Sequence, residues 1–381
     1  MKVLVTTIPF ADKDARPLHI LEQAGAEVII NPLGRKLTEA DLAEIIVDVD
    51  ILIAGTEPIT EAVLERAAQL KLIARVGIGL DSVDLHAARE RGITVSYTPD
   101  APSPAVAELT IGLMVDLLRS VHVSNLRMHQ EQWYRYFGRR LSEVTIGIIG
   151  VGRIGARVIS HLTGFECKRI LVNDIDPDVS TPSHPTCAVE RTDKETIYRE
   201  ADIISLHVPL TAKTRGLITH EEIARMKPGT LLINTARGGI INESDLCQAL
   251  GSRHLGGAAI DVFEQEPYNG ELASLDACLL TAHMGSMSVD CRTQMEVEAS
   301  AEVARFIRDR GWGEHEEANW NLDWGTWSDA VPRLQAVLAD EADKVALAAF
   351  STEVMRAQLA EMEEVAARLK AGHMRDRHRE V

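Results

Sequence analysis

The fold is decided at Gly147-Ile-Ile-Gly150-Val-Gly152-Arg153-Ile154-Gly155, a glycine-rich stretch near the middle of the 381-residue chain. It connects an apolar run at residues 144–149 to a helix-like run at residues 153–162. A second apolar run, at residues 169–174, ends on the acidic residue Asp174. A glycine fingerprint inside a strand–turn–helix–strand unit, followed by an acid, is typical of dinucleotide-binding folds.

The three glycines of this fingerprint have different physical tasks. Gly150 permits the tight turn, and Gly152 lets the backbone approach a pyrophosphate. Gly155 lets the helix and the strand pack closely. The helix N-terminus favours the phosphate charge, and the same turn would bring Arg153 and Ile154 to the cofactor. We therefore expect these five residues to bind the dinucleotide.

The acid that follows the fingerprint predicts which dinucleotide binds. Asp174 stands where a ribose diol would be bound, and Asp176 lies close to it in the sequence. Two carboxylates would repel a 2′-phosphate, and no basic residue follows at once. The sequence therefore favours NAD over NADP.

Length and charge narrow the class of protein. A chain of 381 residues is too long to fold around one ordinary hydrophobic core, so we expect two domains. Its hydrophobic content of 45% is typical of soluble globular proteins. The net charge of −17 disfavours nucleic acid and an anionic membrane surface as main partners. An anionic substrate would need local basic residues.

The cysteines and the first residues favour a cytoplasmic protein. The five cysteines form no C-x-x-C motif and are odd in number, as expected for reduced thiols. The segment Met1-Lys-Val-Leu-Val-Thr-Thr predicts a first strand, not a signal peptide, and no apolar run approaches the length of a membrane span. No His/Cys cluster has metal spacing, so we expect no metal.

Strand-like and helix-like runs alternate along most of the chain, which predicts two units with mostly parallel sheets. The predicted strands of the first unit are residues 3–7, 27–31, 51–54, 71–76 and 94–97. Its predicted helices are residues 17–24, 39–47, 60–68 and 82–91. The predicted strands of the second unit are residues 144–149, 169–174, 203–207, 231–235, 258–262 and 279–282. A proline-rich break and a long apolar helix at residues 105–123 separate the two units.

The segment 311–381 differs in character from the rest of the chain. Four tryptophans are concentrated in it: Trp312, Trp320, Trp324 and Trp327. An Ala/Glu-rich run with a heptad seam follows: Met355, Leu359, Met362, Ala366 and Leu369. We expect a helical, tryptophan-rich C-terminal extension.

Three polar segments each follow a predicted strand of the second unit. They are Asn234-Thr235-Ala236-Arg237, Asp261-Val-Phe-Glu-Gln-Glu266 and Thr281-Ala-His283-Met-Gly285. Ligands of open α/β sheets bind at the carboxyl ends of strands, so we expect all three segments beside the dinucleotide. An arginine, a carboxylate and a histidine suit hydride transfer between a hydroxy acid and a keto acid: a base for the hydroxyl proton, its partner, and a two-pronged ligand for the substrate carboxylate.

The chain resembles the D-isomer-specific 2-hydroxyacid dehydrogenase family over about residues 1–310, and within it the phosphoglycerate dehydrogenase-like members. The likeness rests on the fingerprint, the three polar segments and four further motifs. These motifs are Leu70-Lys-Leu-Ile-Ala-Arg75-Val-Gly77-Ile-Gly79-Leu-Asp81-Ser-Val-Asp84-Leu, Ala107-Glu108-Leu-Thr, His207-Val-Pro209-Leu-Thr211-Ala-Lys-Thr214 and Met226-Lys-Pro228-Gly229.

The resemblance implies a role for each residue of the site. His283 would be the acid/base, Glu266 its partner and Arg237 the residue that holds the substrate. Asp261 would contact the nicotinamide carboxamide, and Asp174 the adenosine ribose. The other expected cofactor contacts are His207, Pro209, Thr214, Thr235, Ala236 and Gly285. The expected substrate contacts are Arg75, Val76 and Gly77, whose loop would offer backbone N–H groups to the substrate carboxylate.

The resemblance also implies how the chain is divided. Residues 1–103 and 287–310 would form a discontinuous, flavodoxin-like substrate domain, and residues 104–286 an NAD-binding Rossmann domain. Residues 311–381 would lie outside both. The long helix that begins near residue 105 commonly helps to build a dimer in this family, so we expect a homodimer.

The prediction of the substrate class depends on Arg75. This arginine could bind a phosphate or phosphonate group of the substrate, or it could instead pair with a nearby acid. We expect an NAD-dependent dehydrogenase for a small anionic 2-hydroxy or 2-keto acid, with a phosphorylated or phosphonylated three-carbon acid as the leading class. The alternatives are an NAD-sensing scaffold or corepressor of the same fold, and a phosphite-type dehydrogenase. Formate is disfavoured, because formate enzymes of this fold carry glutamine where Glu266 stands.

Overall fold

The computed structural model describes residues 1–179 and 187–310, and these residues form two parallel β-sheets. The strands of the first sheet are β1 Lys2–Val5, β2 Glu27–Ile30, β3 Ile51–Ala54, β4 Leu72–Arg75 and β5 Thr94–Tyr97. They pair in the order β2-β1-β3-β4-β5, and every pair is parallel. This is the strand order of flavodoxin-like folds.

Short helices follow the first four strands of this sheet. They are α1 Arg16–Gln23, α2 Glu39–Ile45, α3 Glu61–Arg66 and α4 Leu85–Glu90. Side-chain oxygens of Thr38, Thr60 and Asp84 accept backbone N–H hydrogen bonds at the starts of α2, α3 and α4. These N-caps satisfy donors that the first helical turn leaves free, which explains why the three helices begin there.

The second sheet contains seven strands. They are β6 Thr145–Ile149, β7 Arg169–Asn173, β8 Ala188–Arg191, β9 Ile203–Leu206, β10 Leu231–Asn234, β11 Gly257–Ile260 and β12 Cys278–Leu280. They pair in parallel in the order β12-β11-β10-β9-β6-β7-β8. The order reverses between β6 and β9, which is the switch point where Rossmann folds bind their ligands. The predicted α/β class with two parallel-sheet units is confirmed.

The helices of the second half are α5 Ser103–Arg119, α6 Val121–His129, α7 Arg153–Thr163, α8 Lys194–Glu200, α9 His220–Arg225, α10 Glu243–Gly251 and α11 Val289–Arg310. One helix was predicted at residues 105–123, but the chain breaks at Ser120, whose φ of 51° is left-handed. A left-handed residue cannot continue an α-helix, so α5 and α6 are separate elements.

The chain returns to the first sheet after it completes the second. Along α11, Met295, Ala299 and Val303 are buried in one cluster with strand residues such as Val5 and Ile53. Alternate strand residues on the other face pack with helices α2, α3 and α4. The first sheet is therefore covered on both faces, and α11 supplies part of one cover.

The sequence analysis missed one strand, and one of its predictions concerns residues that the structure does not describe. Strand β8 was not predicted, because Ala188-Val-Glu-Arg191 has no apolar run and its residues are mostly exposed at the sheet edge. The predicted tryptophan-rich extension and its heptad seam lie outside the described residues. Among residues 1–179 and 187–310, no helix combines the length and the apolar character needed to cross a bilayer.

Candidate active site

The carboxyl ends of both sheets open on one cavity of about 680 Å³. The second sheet contributes Thr235, Arg237, Asp261, Glu266 and His283. The first sheet contributes residues from the loops after β1, β3 and β4, and α11 contributes Arg292. The three polar segments predicted to share a crevice are therefore together, although Arg237 and His283 are 46 residues apart in the sequence.

The His283 ring is paired with the Glu266 carboxylate. The Nδ1 atom lies 3.0 Å from Oε1 and 2.9 Å from Oε2 of Glu266. This leaves Nε2 for a substrate hydroxyl. Burial alone would raise the pKa of Glu266, but the hydrogen bond and the charge of His283 outweigh it, so the carboxyl pKa lies below its ordinary value. Glu266 is therefore a stable anionic partner for an imidazolium.

The backbone at His283 is held in an uncommon conformation. Its φ is 49°, in the left-handed region, and its N–H donates to the carbonyl oxygen of Asp261 at 2.8 Å. The Asp261 carboxylate fixes the same loop, because Oδ1 accepts from Met284 N at 2.8 Å and Oδ2 accepts from Gly285 N at 2.9 Å. Asp261 is 1% exposed. In addition to its expected cofactor contact, Asp261 therefore aims the histidine loop.

Arg237 is paired with an acid from the first sheet. Its Nε donates to Asp81 Oδ1 at 2.9 Å, and its Nη1 donates to the carbonyl oxygen of Ala236 at 2.6 Å. Burial would raise the pKa of Asp81, but the charge of Arg237 outweighs it and the net pKa is lowered. Nη2 lies against Gly79, where a Cβ atom would be only 1.9 Å away. The guanidinium is thus positioned by two residues of the loop after β4.

The glycine fingerprint has the geometry of a phosphate cradle. Gly150 has a φ of 96°, and a Cβ there would lie 2.4 Å from the carbonyl oxygen of His207. A Cβ on Gly155 would lie 2.0 Å from the carbonyl oxygen of Gly150. Open space surrounds the position of a Cβ on Gly152, where helix α7 begins. These residues therefore fit a dinucleotide pyrophosphate.

Asp174 closes the far side of this cradle. Its Oδ2 accepts from Val151 N at 2.6 Å, and its Oδ1 accepts from Asp176 N at 2.9 Å. The carboxylate therefore lies beside the fingerprint turn, as a ribose ligand must. Arg153 pairs through Nε with Asp100, in the segment between the sheets, at 2.7 Å. Ile154 lines the central cavity.

The other residues expected at the cofactor are held by hydrogen bonds within the protein. The Thr214 hydroxyl donates to the Pro209 carbonyl oxygen at 2.6 Å and fixes the loop after β9. The Thr235 hydroxyl bonds the Thr110 hydroxyl of α5 at 2.9 Å. Burial lowers the pKa of His207 to about 4, so its ring is neutral at pH 7. A neutral ring adds no charge beside the cradle.

The loop after β4 differs in detail from the expectation. The N–H of Val76 donates to Ala54 O at 2.9 Å, and the N–H of Gly77 donates to Thr98 Oγ1 at 2.8 Å. Both groups therefore already have acceptors. In the described part of the chain, no residue accepts from the N–H groups of Ile78 and Gly79, which line the cavity. These two N–H groups are the free donors of the loop, and the sequence interpretation did not include them.

Three charged residues of the cavity were also missed. Glu57 follows β3, Lys36 lies between β2 and α2, and Arg292 is on α11. The signal for Glu57 was present, because it is an acid directly after a predicted strand, like the segments that were found. Lys36 and Arg292 reach the cavity only through the tertiary fold. Within residues 1–179 and 187–310, no group of three or more His, Cys, Asp or Glu side chains could hold a metal ion.

Known proteins are similar to this chain in sequence and in structure. Residues 111–285 match the family described as D-isomer specific 2-hydroxyacid dehydrogenase, NAD binding domain. A D-3-phosphoglycerate dehydrogenase of Methanocaldococcus jannaschii is 37% identical over 319 residues, 81% of this chain and 58% of that protein. The crystal structure of the TT0316 protein from Thermus thermophilus has a TM-score of 0.71 and 33% identity, and the match covers 81% of this chain and 97% of that one.

A further relative is similar over nearly its whole length. This hydroxypyruvate reductase of Thermotoga maritima is 38% identical over 303 residues, which are 78% of this chain and 95% of that protein. Such a likeness, with the matching family domain and the two-sheet fold, means that the chain belongs to the D-isomer-specific 2-hydroxyacid dehydrogenases, a family of NAD-dependent oxidoreductases.

Proposed function

We propose that this dehydrogenase interconverts a small D-2-hydroxy acid and the matching 2-keto acid by direct hydride transfer with NAD. The observation that carries the proposal is the His283–Glu266 pair, with Nδ1 within 3.0 Å of both carboxylate oxygens, in a cavity beside the glycine fingerprint. A bound NAD would supply the hydride acceptor; the chain itself supplies the proton acceptor, the charge and the orientation.

The proton would move through Nε2 of His283. In the oxidation direction the neutral ring takes the hydroxyl proton as hydride leaves the same carbon. Glu266 stabilises the imidazolium that results, because its carboxylate lies against Nδ1. In the reduction direction the imidazolium returns this proton to the carbonyl oxygen.

The substrate carboxylate would bind between the two sheets. Free N–H groups of Ile78 and Gly79 offer two donors, and Nη2 of Arg237 offers a charged one. Only part of the Arg237 guanidinium is free, because Asp81 holds Nε and the Ala236 carbonyl holds Nη1. The expected two-pronged contact would therefore use one arginine nitrogen and the loop backbone.

Two classes of distal group agree with a cation at Arg75. The first is the phosphoryl or phosphonyl group expected from the sequence, which the exposed Lys36 at the cavity also favours. The second is a hydroxyl group, which needs fewer charges. The relatives carry names of both kinds, a phosphoglycerate dehydrogenase and a hydroxypyruvate reductase.

NADH consumption against a panel of 2-keto acids tests the proposed function. The panel contains 3-phosphohydroxypyruvate, phosphonopyruvate, hydroxypyruvate, glyoxylate and pyruvate. We expect turnover of at least one three-carbon acid, and a loss of about 10²–10⁴-fold in kcat for His283→Ala with NADH binding unchanged. If NADH binds and no acid turns over, the proposal is wrong and the NAD-sensing alternative takes its place.

A homodimer in the cytoplasm is part of the same proposal. Several large apolar side chains in and after α6 are exposed, including Trp133 at 79% and Phe137, which is fully exposed. Exposed apolar side chains concentrated in one segment favour burial against a second copy. The five cysteines are all free, four of them buried, which suits a reducing compartment.

A further inference from the structure

The cavity contains a buried carboxylate that the proposed chemistry does not use. Glu57 is 2% exposed and lines the same cavity as Arg237 and His283. Its Oε1 accepts hydrogen bonds from Gly55 N at 3.0 Å and from the Thr6 hydroxyl. Within the part of the chain that the structure describes, no group donates a hydrogen bond to Oε2. One oxygen of a buried acid is therefore available to a ligand.

Arg75 supplies a buried donor to the same region. It is 6% exposed and lines the cavity, and its Nη1 donates to the carbonyl oxygen of Val76. Its Nε is buried and has no acceptor among residues 1–179 and 187–310. Burial lowers the pKa of Arg75 to about 10, and the negative charge of Glu57 is the strongest influence that opposes this lowering. At neutral pH Arg75 therefore remains a cation, and the charge of the Glu57 carboxylate acts on it.

Glu57 and Arg75 line the same cavity, and in the described part of the chain no direct ion pair joins them, so one ligand group could contact both. A hydroxyl group can accept from Arg75 and donate to Glu57 at the same time. A methyl group would leave both buried polar groups without partners, which is costly. A phosphoryl group only accepts, and its negative charge would face the Glu57 carboxylate. Lys36 could offset that repulsion only weakly, because it is exposed and screened by solvent.

We propose that Glu57 and Arg75 together select a substrate whose third carbon carries a hydroxyl group over one that carries a phosphoryl group at that position. This inference rests on the proposed function and names the substrate class of the same cavity, 2-keto acids with a hydroxyl-bearing side chain. Glu57 is the specificity-determining residue of the pair, because its carboxylate accepts from a hydroxyl group but repels a second anion. The phosphorylated class expected from Arg75 did not take this acid into account.

The test compares kcat/KM for hydroxypyruvate, pyruvate and 3-phosphohydroxypyruvate in three proteins: the wild type, Glu57→Gln and Glu61→Gln. The wild type should favour hydroxypyruvate over each of the others by about tenfold or more. Glu57→Gln keeps the size of the side chain and an acceptor for Thr6, but removes the charge. Its preference for hydroxypyruvate over the phosphorylated acid should fall by about tenfold. Glu61, exposed at the start of α3, provides the same chemical change outside the cavity, so its preference should not change.

The outcomes separate this inference from the proposed function. Turnover of all three acids with no preference for the hydroxyl, or a preference for the phosphorylated acid, would overturn the inference alone. So would an unchanged preference in a Glu57→Gln protein that binds NADH and melts like the wild type. If that variant does not fold, the wild-type preferences still decide. Failure of every acid to turn over, with NADH bound, would overturn the proposed function and this inference with it.

Discussion

Single atoms decide the position of Arg237, the arginine proposed to hold the substrate. A Cβ on Gly79 would lie 1.9 Å from Nη2 of Arg237 and 2.7 Å from Oδ1 of Asp81, so any side chain there must displace both atoms. We expect Gly79→Ala to lower kcat/KM by about 10²-fold, because a small misplacement of a positioning group is costly. Steady-state kinetics on the best keto acid measures this.

The matched control is Gly112→Ala. Gly112 lies in α5, and a Cβ there meets nothing within 4 Å. This variant should keep the wild-type kcat/KM, and both variants should keep the wild-type affinity for NADH. A Gly79→Ala enzyme with full activity would show that Arg237 does not need its present position.

The pH dependence of the two directions reports on the His283–Glu266 pair. Oxidation needs the neutral ring and should rise with pH, whereas reduction needs the imidazolium and should fall. Because the pKa of Glu266 is lowered, its carboxylate stays ionised to a lower pH than that of an ordinary glutamate. Glu266→Gln removes that charge, so reduction should decline at a lower pH than in the wild type, and kcat should fall by about 10²-fold or more.

Rate–pH profiles of the wild type and Glu266→Gln in both directions test this expectation. Glu264→Gln is a suitable control, because this exposed neighbour has no contact with His283 among the described interactions. Profiles that run parallel in the two directions, or do not shift in Glu266→Gln, would contradict the acid/base assignment.

At the level of single residues, the sequence predicted which side chains share the cavity better than how they are held there. His283, Glu266 and Arg237 were found because each follows a strand whose apolar run is plain. The partner of Arg237 was not found, because Asp81 reaches it across 156 residues of sequence. The hydrogen bonds that occupy Val76 and Gly77 depend on Ala54 and Thr98, which only the folded sheet brings close.

Strands and helices were predicted where hydrophobic pattern and local capping agree. Strands β3 and β5 begin and end at the predicted residues. The break at Ser120 was missed, since apolar periodicity continues through it and only its left-handed φ reveals it. The edge strand β8 was missed for the opposite reason, because an exposed edge needs no apolar run.

Helix α11 should contribute to stability because it packs on one face of the first sheet. Val303 is fully buried against this sheet, whereas Val289, at the start of the same helix, is 62% exposed. We expect Val303→Ala to lower the free energy of unfolding by about 2 kcal/mol, through lost apolar burial and the cavity left behind. Val289→Ala should change it by less than about 0.5 kcal/mol. Urea unfolding of both variants measures the difference, and equal values would show that α11 is not packed as described.

For the whole molecule, the exposed aromatic side chains predict assembly. We expect the wild type to sediment as a dimer, and the double variant Trp133→Ser, Phe137→Ser to shift toward the monomer as apolar burial is lost. Phe165→Ser removes a half-exposed aromatic side chain elsewhere and should leave the dimer intact. Analytical ultracentrifugation over a range of concentrations distinguishes these results. A wild type that stays monomeric at every concentration would contradict the homodimer.

The Arg237–Asp81 ion pair has a consequence for how the two sheets behave toward each other. It joins the loop after β4 to the loop after β10, and under the proposed function the substrate carboxylate would bind the same guanidinium. The substrate carboxylate and Asp81 would thus compete for the Arg237 guanidinium, and such competition is thermodynamically reciprocal. An interaction that draws Arg237 toward the substrate carboxylate would weaken the ion pair between the loops. An interaction that strengthens the ion pair would weaken substrate binding. Substrate turnover and the relative mobility of the two sheets would then both depend on this one ion pair.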